Sequence, residues 1–361
     1  MRRAVKLTLK FSTASKRRRI NALLQAYRAA VNFYVQSLWV TPGKLDKPTL
    51  SRLPADKTRL SARYRSQALK QALETVVATK LSSKALGKPC SCPVFNGSAV
   101  LDAKFITLVV ETGGKFDMLV KISSLQKGKR IVVPTRKTKP LNKWMGKPGA
   151  RLVQGAALSE DSLVVWVEAP SPEKTTGASL GIDIGVCKLI SDSNGRHYGR
   201  EFRALRDKIS RKKTGSAAKR RSLKERDDFV RHAVNQLPWG FIKLIAIEDL
   251  KNLKRGKRKG RGKNFRKAMV PWTYRQVIEA VRQKAEEHGV DLQHVPPAYT
   301  SRTCPQCGVE SASSRKGEEF NCVACAYSAD ADTVGAVNVL NKALRLIGSV
   351  ESPVLLQTAY V

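Results

Sequence analysis

Three acidic residues in this sequence occupy positions where an unpaired carboxylate is costly. Asp183 lies within an apolar run, Glu248 ends the apolar run 244–247, and Asp332 starts the apolar helical segment 333–347. Removing a carboxylate from water is unfavourable unless a cation pairs with it, and divalent cations prefer oxygen ligands. We therefore predict that the three carboxylates, contributed by three separate elements, form one metal site. For each residue alone, a helix cap or turn position is the alternative.

Four cysteines form two pairs with the spacing of a structural zinc site. Cys304 and Cys307 make the first pair, Cys322 and Cys325 the second, and 14 residues separate the pairs. Such pairs bind one Zn²⁺ tetrahedrally through four thiolates at about 2.3 Å. Two disulfides are the alternative interpretation. A closed four-thiolate site has no open position for a substrate, so we expect the zinc to stabilise a fold.

The charge balance indicates a polyanionic partner. The chain has 361 residues, and 67 Lys and Arg against 29 Asp and Glu give a formal net charge of +38. A compact state with this excess repels itself unless a polyanion neutralises it. Nucleic acid is the first candidate, and an anionic membrane surface is the weaker alternative.

Neither a membrane span nor a secretion signal is apparent in the sequence. We find no run of about 18 apolar residues, and the N-terminus Met-Arg-Arg-Ala-Val-Lys lacks the apolar core of a signal peptide. We expect no membrane partner and an intracellular protein. Its cysteines are then expected to be reduced or metal-bound.

A glycine-rich basic stretch is the clearest local candidate for nucleic-acid binding. Residues 251–267 carry 10 basic side chains and three glycines in 17 positions, a composition that cannot pack a core. Arg302, beside the first cysteine pair, is a further candidate, with a structural salt bridge as the alternative. The candidate contact residues in the stretch are Lys254, Arg255, Lys257, Arg258, Lys259 and Arg261.

The hydrophobic periodicity predicts an α+β protein with several domains. The first half combines a strand at 5–11, helices at 16–39 and 58–86, and further short strands, which we interpret as a small β-barrel interrupted by a helical insertion. Those further strands are predicted at 105–111, 116–123, 130–135, 151–158 and 163–169.

The second half has the element order of an RNase H-type α/β layer. Two strands in 178–193 are followed by a short strand at 196–199, a basic helical region, and a strand at 244–247; a helix at 272–288 and a strand at 291–295 come next. The predicted domains are 1–12 with 98–175 for the barrel, 13–97 for the helical insertion, 178–303 with 326–347 for the α/β domain, 304–325 for the zinc ribbon, and 348–361 for a tail.

Five motifs together resemble the TnpB family of transposon-encoded, RNA-guided nucleases, relatives of the type V CRISPR effectors. They occur in the family's order and cover about 178–345, nearly half of the chain. The motifs are Gly-Ile-Asp-Ile-Gly-Val at 181–186, Ile-Glu-Asp-Leu at 247–250, Trp-Thr-Tyr-Arg-Gln with Lys-Ala-Glu-Glu-His-Gly within 272–289, Thr-Ser-Arg-Thr-Cys-Pro-Gln-Cys-Gly at 300–308, and Asp-Ala-Asp-Thr-Val-Gly-Ala-Val-Asn-Val-Leu at 330–340.

The resemblance implies a RuvC-like nuclease domain interrupted by a four-cysteine zinc ribbon. By position in the motifs, Asp183, Glu248 and Asp332 are the carboxylates that hold two Mg²⁺ ions, and one Zn²⁺ is structural. Asp332 rather than Asp330 takes the third position, because the stretch 335–338 follows it in register. The chain departs from the family at 334–336, where Val-Gly-Ala replaces the usual Asn-Ala-Ala.

The resemblance also implies a guide RNA and target double-stranded DNA as partners. The expected reaction is two-metal hydrolysis of phosphodiester bonds, at a target chosen by guide pairing next to a short DNA motif. Residues 1–175 would hold the guide and the duplex. A guide-dependent repressor that does not cut, and a DDE-type transposase or zinc-ribbon DNA-binding protein, are the alternatives. A monomer and a homodimer are both compatible with the size.

Overall fold

A computed structural model of the protein describes residues 1–41, 59–86, 89–110, 115–185, 187–213, 215–249 and 274–348. The chain divides into two compact units, Met1–Pro170 and Ser171–Val361. Within the described ranges, none of the helices is long and apolar enough to cross a bilayer.

The first unit contains two antiparallel sheets. One has four strands in the order β1-β7-β6-β2, and the other has three in the order β3-β4-β5. The strands alternate buried and exposed residues, as half-buried strands do. Their bounds are β1 Arg2–Thr8, β2 Ala99–Asp102, β3 Ile106–Val110, β4 Met118–Ser123, β5 Arg130–Thr135, β6 Arg151–Leu158 and β7 Ser162–Glu168.

Two long helices share the core of these sheets. Helix α1, Ala14–Val40, begins at the N-cap Thr13, whose side chain accepts a hydrogen bond from the Lys16 amide, and buries residues at three- and four-residue spacing. Helix α2, Ala62–Leu86, buries Ala68 and Ala72. A short helix α3, Lys139–Met145, lies between β5 and β6.

The predicted N-terminal β-barrel is wrong. The described strands form two separate sheets, and neither closes on itself. The reason lies in the helices: buried residues of α1, α2 and both sheets belong to one hydrophobic core. The apolar faces of the strands are therefore covered by helices, so no closure of one sheet is needed to bury them.

The second unit is built on a five-stranded mixed sheet in the order β10-β9-β8-β11-β12. Strand β11 pairs in parallel with both β8 and β12, while β9 is antiparallel to β8 and to β10. The strands are β8 Ala178–Asp183, β9 Ile190–Asp192, β10 His197–Tyr198, β11 Ile242–Glu248 and β12 Asp291–Val295. The helices are α4 Phe202–Ser210, α5 Ala217–Asn235, α6 Tyr274–His288 and α7 Ala331–Leu346.

Helices cover both faces of this sheet, which explains the uninterrupted apolar run of β11. Ile245 and Ile247 share a core with α5 and α6, whereas Leu244 packs with residues of α7 on the other face. Helix α7 lies close to β8: a Cβ added to Gly181 would stand 2.1 Å from the Ala336 carbonyl oxygen. Glycine at 181 is thus required for the contact between α7 and the central strands.

A small cysteine-bearing subdomain, the ribbon, lies between β12 and α7. Its sheet is antiparallel, in the order β13-β14-β15, with β13 Arg315–Lys316, β14 Glu319–Asn321 and β15 Ser328–Asp330, preceded by a 3₁₀ turn at Ala312–Ser314. Two tight turns carry the cysteine pairs: the Gly308 amide donates to the Cys304 carbonyl, and the Cys322 amide donates to the Tyr327 carbonyl.

Candidate metal sites

The first two predicted carboxylates end two neighbouring parallel strands. Asp183 is the last residue of β8 and Glu248 is the last residue of β11. The register places Ile182 opposite Ile247. Because the carboxyl ends of parallel strands meet at one edge of the sheet, the two acidic side chains lie at the same edge.

The third carboxylate comes from the first turn of α7. Asp332 is only 9% exposed, and a Cβ added to Gly335, one turn further on, would lie 3.0 Å from Oδ2 of Asp183. Burial, together with the negative charges of Glu248 and Asp332, raises the pKa of Asp183 to about 7. The fold therefore brings the three predicted carboxylates to one place.

The chemistry of this place fits divalent cations. Its ligand atoms are carboxylate oxygens, the kind that Mg²⁺ prefers, and a cation would relieve the repulsion that raises the Asp183 pKa. Among the described residues, the four ribbon cysteines are the one group of three or more potential ligands whose ligand atoms all lie within 4.8 Å of one another. The oxygens of the three carboxylates do not meet this condition. The carboxylates are thus spaced more widely than in a closed cage around a single ion.

Asp330 has a different role from Asp332. Its Oδ1 accepts hydrogen bonds from the amides of Asp332 (3.1 Å) and Thr333 (3.0 Å), so it is the N-cap of α7. Its Oδ2 pairs with the Lys188 ammonium. Asp330 thereby fixes the first turn of α7 and with it the backbone of Asp332.

Sequence reasoning missed two residues that contact the carboxylates. Arg315, at the start of β13, donates from Nη2 to Oδ1 of Asp332 at 3.0 Å. Thr300 donates its hydroxyl to Oε1 of Glu248. Burial raises the pKa of Glu248, and the hydrogen bond from Thr300 opposes that shift. Arg315 has no sequence spacing that would indicate its role. Thr300 is the first residue of the motif at 300–308, but its side chain is neither acidic nor a usual metal ligand, so the sequence offers no reason to select it.

The four cysteines form a second candidate metal site. The Sγ atoms of Cys304 and Cys325 are 3.6 Å apart, and those of Cys307 and Cys322 are also 3.6 Å apart. Thiolates at the corners of a tetrahedron around Zn²⁺ are about 3.8 Å apart, given a Zn–S distance of about 2.3 Å. The spacing therefore fits one zinc ion. Backbone amides of Cys325 and Ala324 lower the pKa of the Cys322 thiol to about 6, which favours the thiolate that zinc binds.

The predicted nucleic-acid contacts are only partly within the described residues. Arg302 is exposed, two residues before Cys304. The glycine-rich basic stretch lies outside the described residues, and so do its candidates Lys254, Arg255, Lys257, Arg258, Lys259 and Arg261.

A basic cavity of about 780 Å³ lies in the first unit. It is bounded by the start of α2, the start of β3 and the turn between β4 and β5. Tyr64 and Phe105 stack in its wall, with ring centroids 4.0 Å apart. The cationic residues among its described lining are Arg59, Arg63, Lys104, Lys127, Lys129 and Arg130, and none of the described lining residues is acidic.

Comparison with known proteins gives consistent matches. The family model of the Cas12f1-like TNB domain matches residues 274–339. A TnpB-like protein of Methanocaldococcus jannaschii is 24% identical over 252 residues, which cover 62% of this chain and 88% of that protein. The CRISPR-associated endodeoxyribonuclease Cas12f1 of Sulfoacidibacillus thermotolerans is 35% identical over 96 residues, covering 26% of this chain and 21% of the relative.

The fold as a whole is also similar to a solved structure. A cryo-EM structure of a Cas12f1–sgRNA–target DNA complex matches with a TM-score of 0.51 and 16% sequence identity, covering 89% of this chain and 82% of that one. The likeness concerns the fold, a mixed α/β arrangement of several domains.

Proposed function

We propose that this chain is an RNA-guided DNA endonuclease, because it is similar to a TnpB-like protein and to the endodeoxyribonuclease Cas12f1, and because the Cas12f1-like TNB domain model matches residues 274–339. The observation that carries the proposal is the meeting of Asp183, Glu248 and Asp332 at one edge of the central sheet. A repressor that does not cut has no need of this carboxylate cluster. A DDE-type transposase also uses three carboxylates, but it does not account for a four-cysteine ribbon between the second and the third of them. The expected substrate is a DNA strand exposed when the guide RNA pairs with its target.

The carboxylates of Asp183, Glu248 and Asp332 would together hold two Mg²⁺ ions. Bound Mg²⁺ supplies a water activated for attack on the phosphodiester and stabilisation of the leaving oxygen. The protein's own part is to hold the ligands in place: β8 and β11 fix two of them, and the Asp330 cap fixes the third. Arg315 offsets the charge of Asp332.

The first unit offers a surface for the nucleic-acid partners. The described residues that line its cavity include six cationic side chains and no acidic one, so they would attract a phosphate backbone. We assign guide RNA and target duplex to this unit. Recognition of a short DNA motif beside the target is part of the same proposal.

The test combines cleavage with binding. The protein is purified with its bound RNA, which is sequenced, and DNA carrying a matching target is supplied with Mg²⁺. We expect one structured RNA species and cleavage of the matched target. Asp183→Ala should abolish cleavage and leave guide-dependent binding nearly intact, since Asp183 lies at the strand edge that the metal ions would occupy.

Three outcomes would contradict parts of the proposal. Absence of a defined RNA argues for a transposase or a plain DNA-binding protein. Guided binding by the wild type without cleavage at any Mg²⁺ concentration identifies a repressor. Equal loss of binding and cleavage in Asp183→Ala removes the assignment of the metal site.

A further inference from the structure

Thr300 connects the ribbon side of the molecule to the second carboxylate. It lies in the segment between β12 and the first cysteine pair, and it is only 3% exposed. Its single hydroxyl proton has two acceptors in reach, Oε1 of Glu248 and the Pro297 carbonyl at 3.1 Å. A charged acceptor makes the stronger hydrogen bond, so the Thr300 hydroxyl donates its hydrogen bond to the Glu248 carboxylate.

The backbone of Thr300 is itself held in place by α7. Asn338, which is 6% exposed, donates both hydrogens of its side-chain amide, one to the Thr300 carbonyl and one to the Thr303 carbonyl, each at 2.7 Å. Asp332 lies on the same helix. One helix thus supplies the third carboxylate and fixes the loop that contacts the second.

The residue before Thr300 has an unusual backbone. Tyr299 has φ 62°, the left-handed region that bulky residues seldom adopt. Its carbonyl accepts hydrogen bonds from the amides of Arg302 (3.0 Å) and Thr303 (3.1 Å). Hydrogen bonds from the surrounding loop therefore stabilise the strained backbone of Tyr299. The next residue is Thr300, whose hydroxyl contacts Glu248.

We propose that Thr300 is a positioning residue: its hydroxyl holds the Glu248 carboxylate in the orientation needed to bind a divalent cation, and Asn338 holds Thr300. The inference rests on the proposed metal site. Residues that orient a metal ligand without touching the metal commonly set affinity, and their loss costs roughly 10- to 100-fold.

The experiment measures Mg²⁺ and Mn²⁺ binding by calorimetry on the zinc-loaded protein, alongside cleavage. Thr300→Val, which keeps the shape and loses the donor, should weaken cation binding roughly 10- to 100-fold. Cleavage should require correspondingly more Mg²⁺ and largely recover at saturation. Thr300→Ser should behave like the wild type, and Thr300→Cys, with a weaker donor, should fall between.

Thr303→Val is the matched control. Thr303 belongs to the same loop, but its hydroxyl donates to the Tyr299 carbonyl at 2.9 Å rather than to a carboxylate. We expect its cation affinity to stay within about twofold of the wild type, since a larger loss requires contact with a metal ligand. Zinc content and the melting temperature without Mg²⁺ identify any variant that fails to fold. If Thr300→Val fails to fold, the cation affinities of Thr300→Ser and Thr300→Cys decide whether the hydroxyl donor sets cation binding.

Equal cation affinity of Thr300→Val and Thr303→Val would overturn the inference, as would a serine variant as weak as the valine variant. The proposed metal site has its own test: Asp183→Asn should eliminate binding. If Asp183→Asn binds cations normally, the site assignment fails; if only Thr300→Val does, the site stands and the positioning role is wrong.

Discussion

Asp183 and Asp192 are acidic residues on paired strands with opposite surroundings. The register places Asp183 opposite Ser191, next to Asp192. Asp192 is fully buried, and its oxygens accept hydrogen bonds from the amides of Asn194 and Arg196 and from the Tyr198 hydroxyl at 2.8–3.0 Å. Asp183 instead faces two other carboxylates, which help raise its pKa. Hydrogen bonds thus satisfy the Asp192 carboxylate, whereas Asp183 is the carboxylate that the proposed metal site assigns to a cation.

Replacing each aspartate by asparagine should separate these roles. Without divalent ions at pH 8, above the Asp183 pKa of about 7, Asp183→Asn should raise the melting temperature because it removes a repelled charge. It should also abolish the rise in melting temperature that Mg²⁺ causes. Differential scanning fluorimetry with and without Mg²⁺ measures both effects.

Asp192→Asn is the matched control. An amide nitrogen cannot accept the Tyr198 hydroxyl bond, so the variant should lose about 1–3 kcal/mol of stability and still respond to Mg²⁺. A destabilised Asp183→Asn with an intact Mg²⁺ response would refute the contrast.

At the residue scale, the sequence indicated the three acidic residues that the fold brings together, but not the side chains that contact them. Asp183 and Glu248 stand out because apolar residues precede them. Thr300 and Arg315 do not, because a polar residue in a loop is ordinary, and their contacts depend on the folding of distant segments. Thr300 is 52 residues from Glu248 in the chain.

At the element scale, α7 joins the ribbon to the central sheet. Val334 is fully buried and belongs to the ribbon's apolar cluster with Phe320, Cys304 and Cys322. Val339, further along the helix, packs with Ala246 and Val295 of the sheet. Val334 therefore belongs to the packing between helix and ribbon.

An asparagine in place of Val334 should loosen the ribbon. Val334→Asn buries an amide among apolar groups, which costs about 1–3 kcal/mol when no partner is found. We expect faster zinc release to a chromogenic chelator. Val339→Asn buries the same amide against the sheet and should lower global stability without faster zinc release from the folded protein. Equal release rates in the two variants would contradict this division of the helix.

Removal of zinc should weaken the carboxylate site as well. Arg315 and Thr300 flank the first cysteine pair, and each contacts one carboxylate, so an unfolded ribbon withdraws both contacts. Cys322→Ser should reduce the affinity for Mn²⁺, measured by electron paramagnetic resonance, by roughly 10-fold or more. Unchanged affinity in a zinc-free variant would show that the two sites are independent.

The elements themselves were largely predictable, whereas their pairing was not. The strands 130–135 and 151–158 and the strand 291–295 have the predicted bounds, because alternation and turn residues are local signals. The four-residue strand β2 and the short helix α3 were missed, since neither is long enough to show a period. The barrel was wrong because hydrophobic alternation does not specify which strand lies beside which.

At the scale of the whole molecule, the net charge of +38 should govern the affinity for the proposed nucleic-acid partners. Each phosphate that a Lys or Arg neutralises releases counterions, so binding weakens with salt in proportion to the number of contacts. In the cavity of the first unit, the described lining residues include cations and no acidic side chain. Other cations in that unit are already paired: Arg151 lies 2.8 Å from Glu168.

Salt dependence should therefore distinguish cavity cations from paired ones. The double variant Arg63→Ala, Lys129→Ala should reduce the slope of log K against log salt for RNA binding by about 2, roughly one unit for each lost phosphate contact. Arg151→Ala should change the slope much less, although each substitution removes one formal positive charge. Filter binding between 50 and 400 mM salt measures the slopes, and equal slopes per charge would exclude a special role for the cavity.

The place of α7 in the chain has a consequence for synthesis on the ribosome. Asp183 and Glu248 emerge early, but the helix that carries Asp332 and packs against Gly181 follows the ribbon. A nascent chain that stops before residue 331 presents two carboxylates and an uncovered sheet face. In the proposed nuclease, the metal site is thus incomplete until the ribbon has been made, and prematurely terminated products should not cut the DNA of the cell.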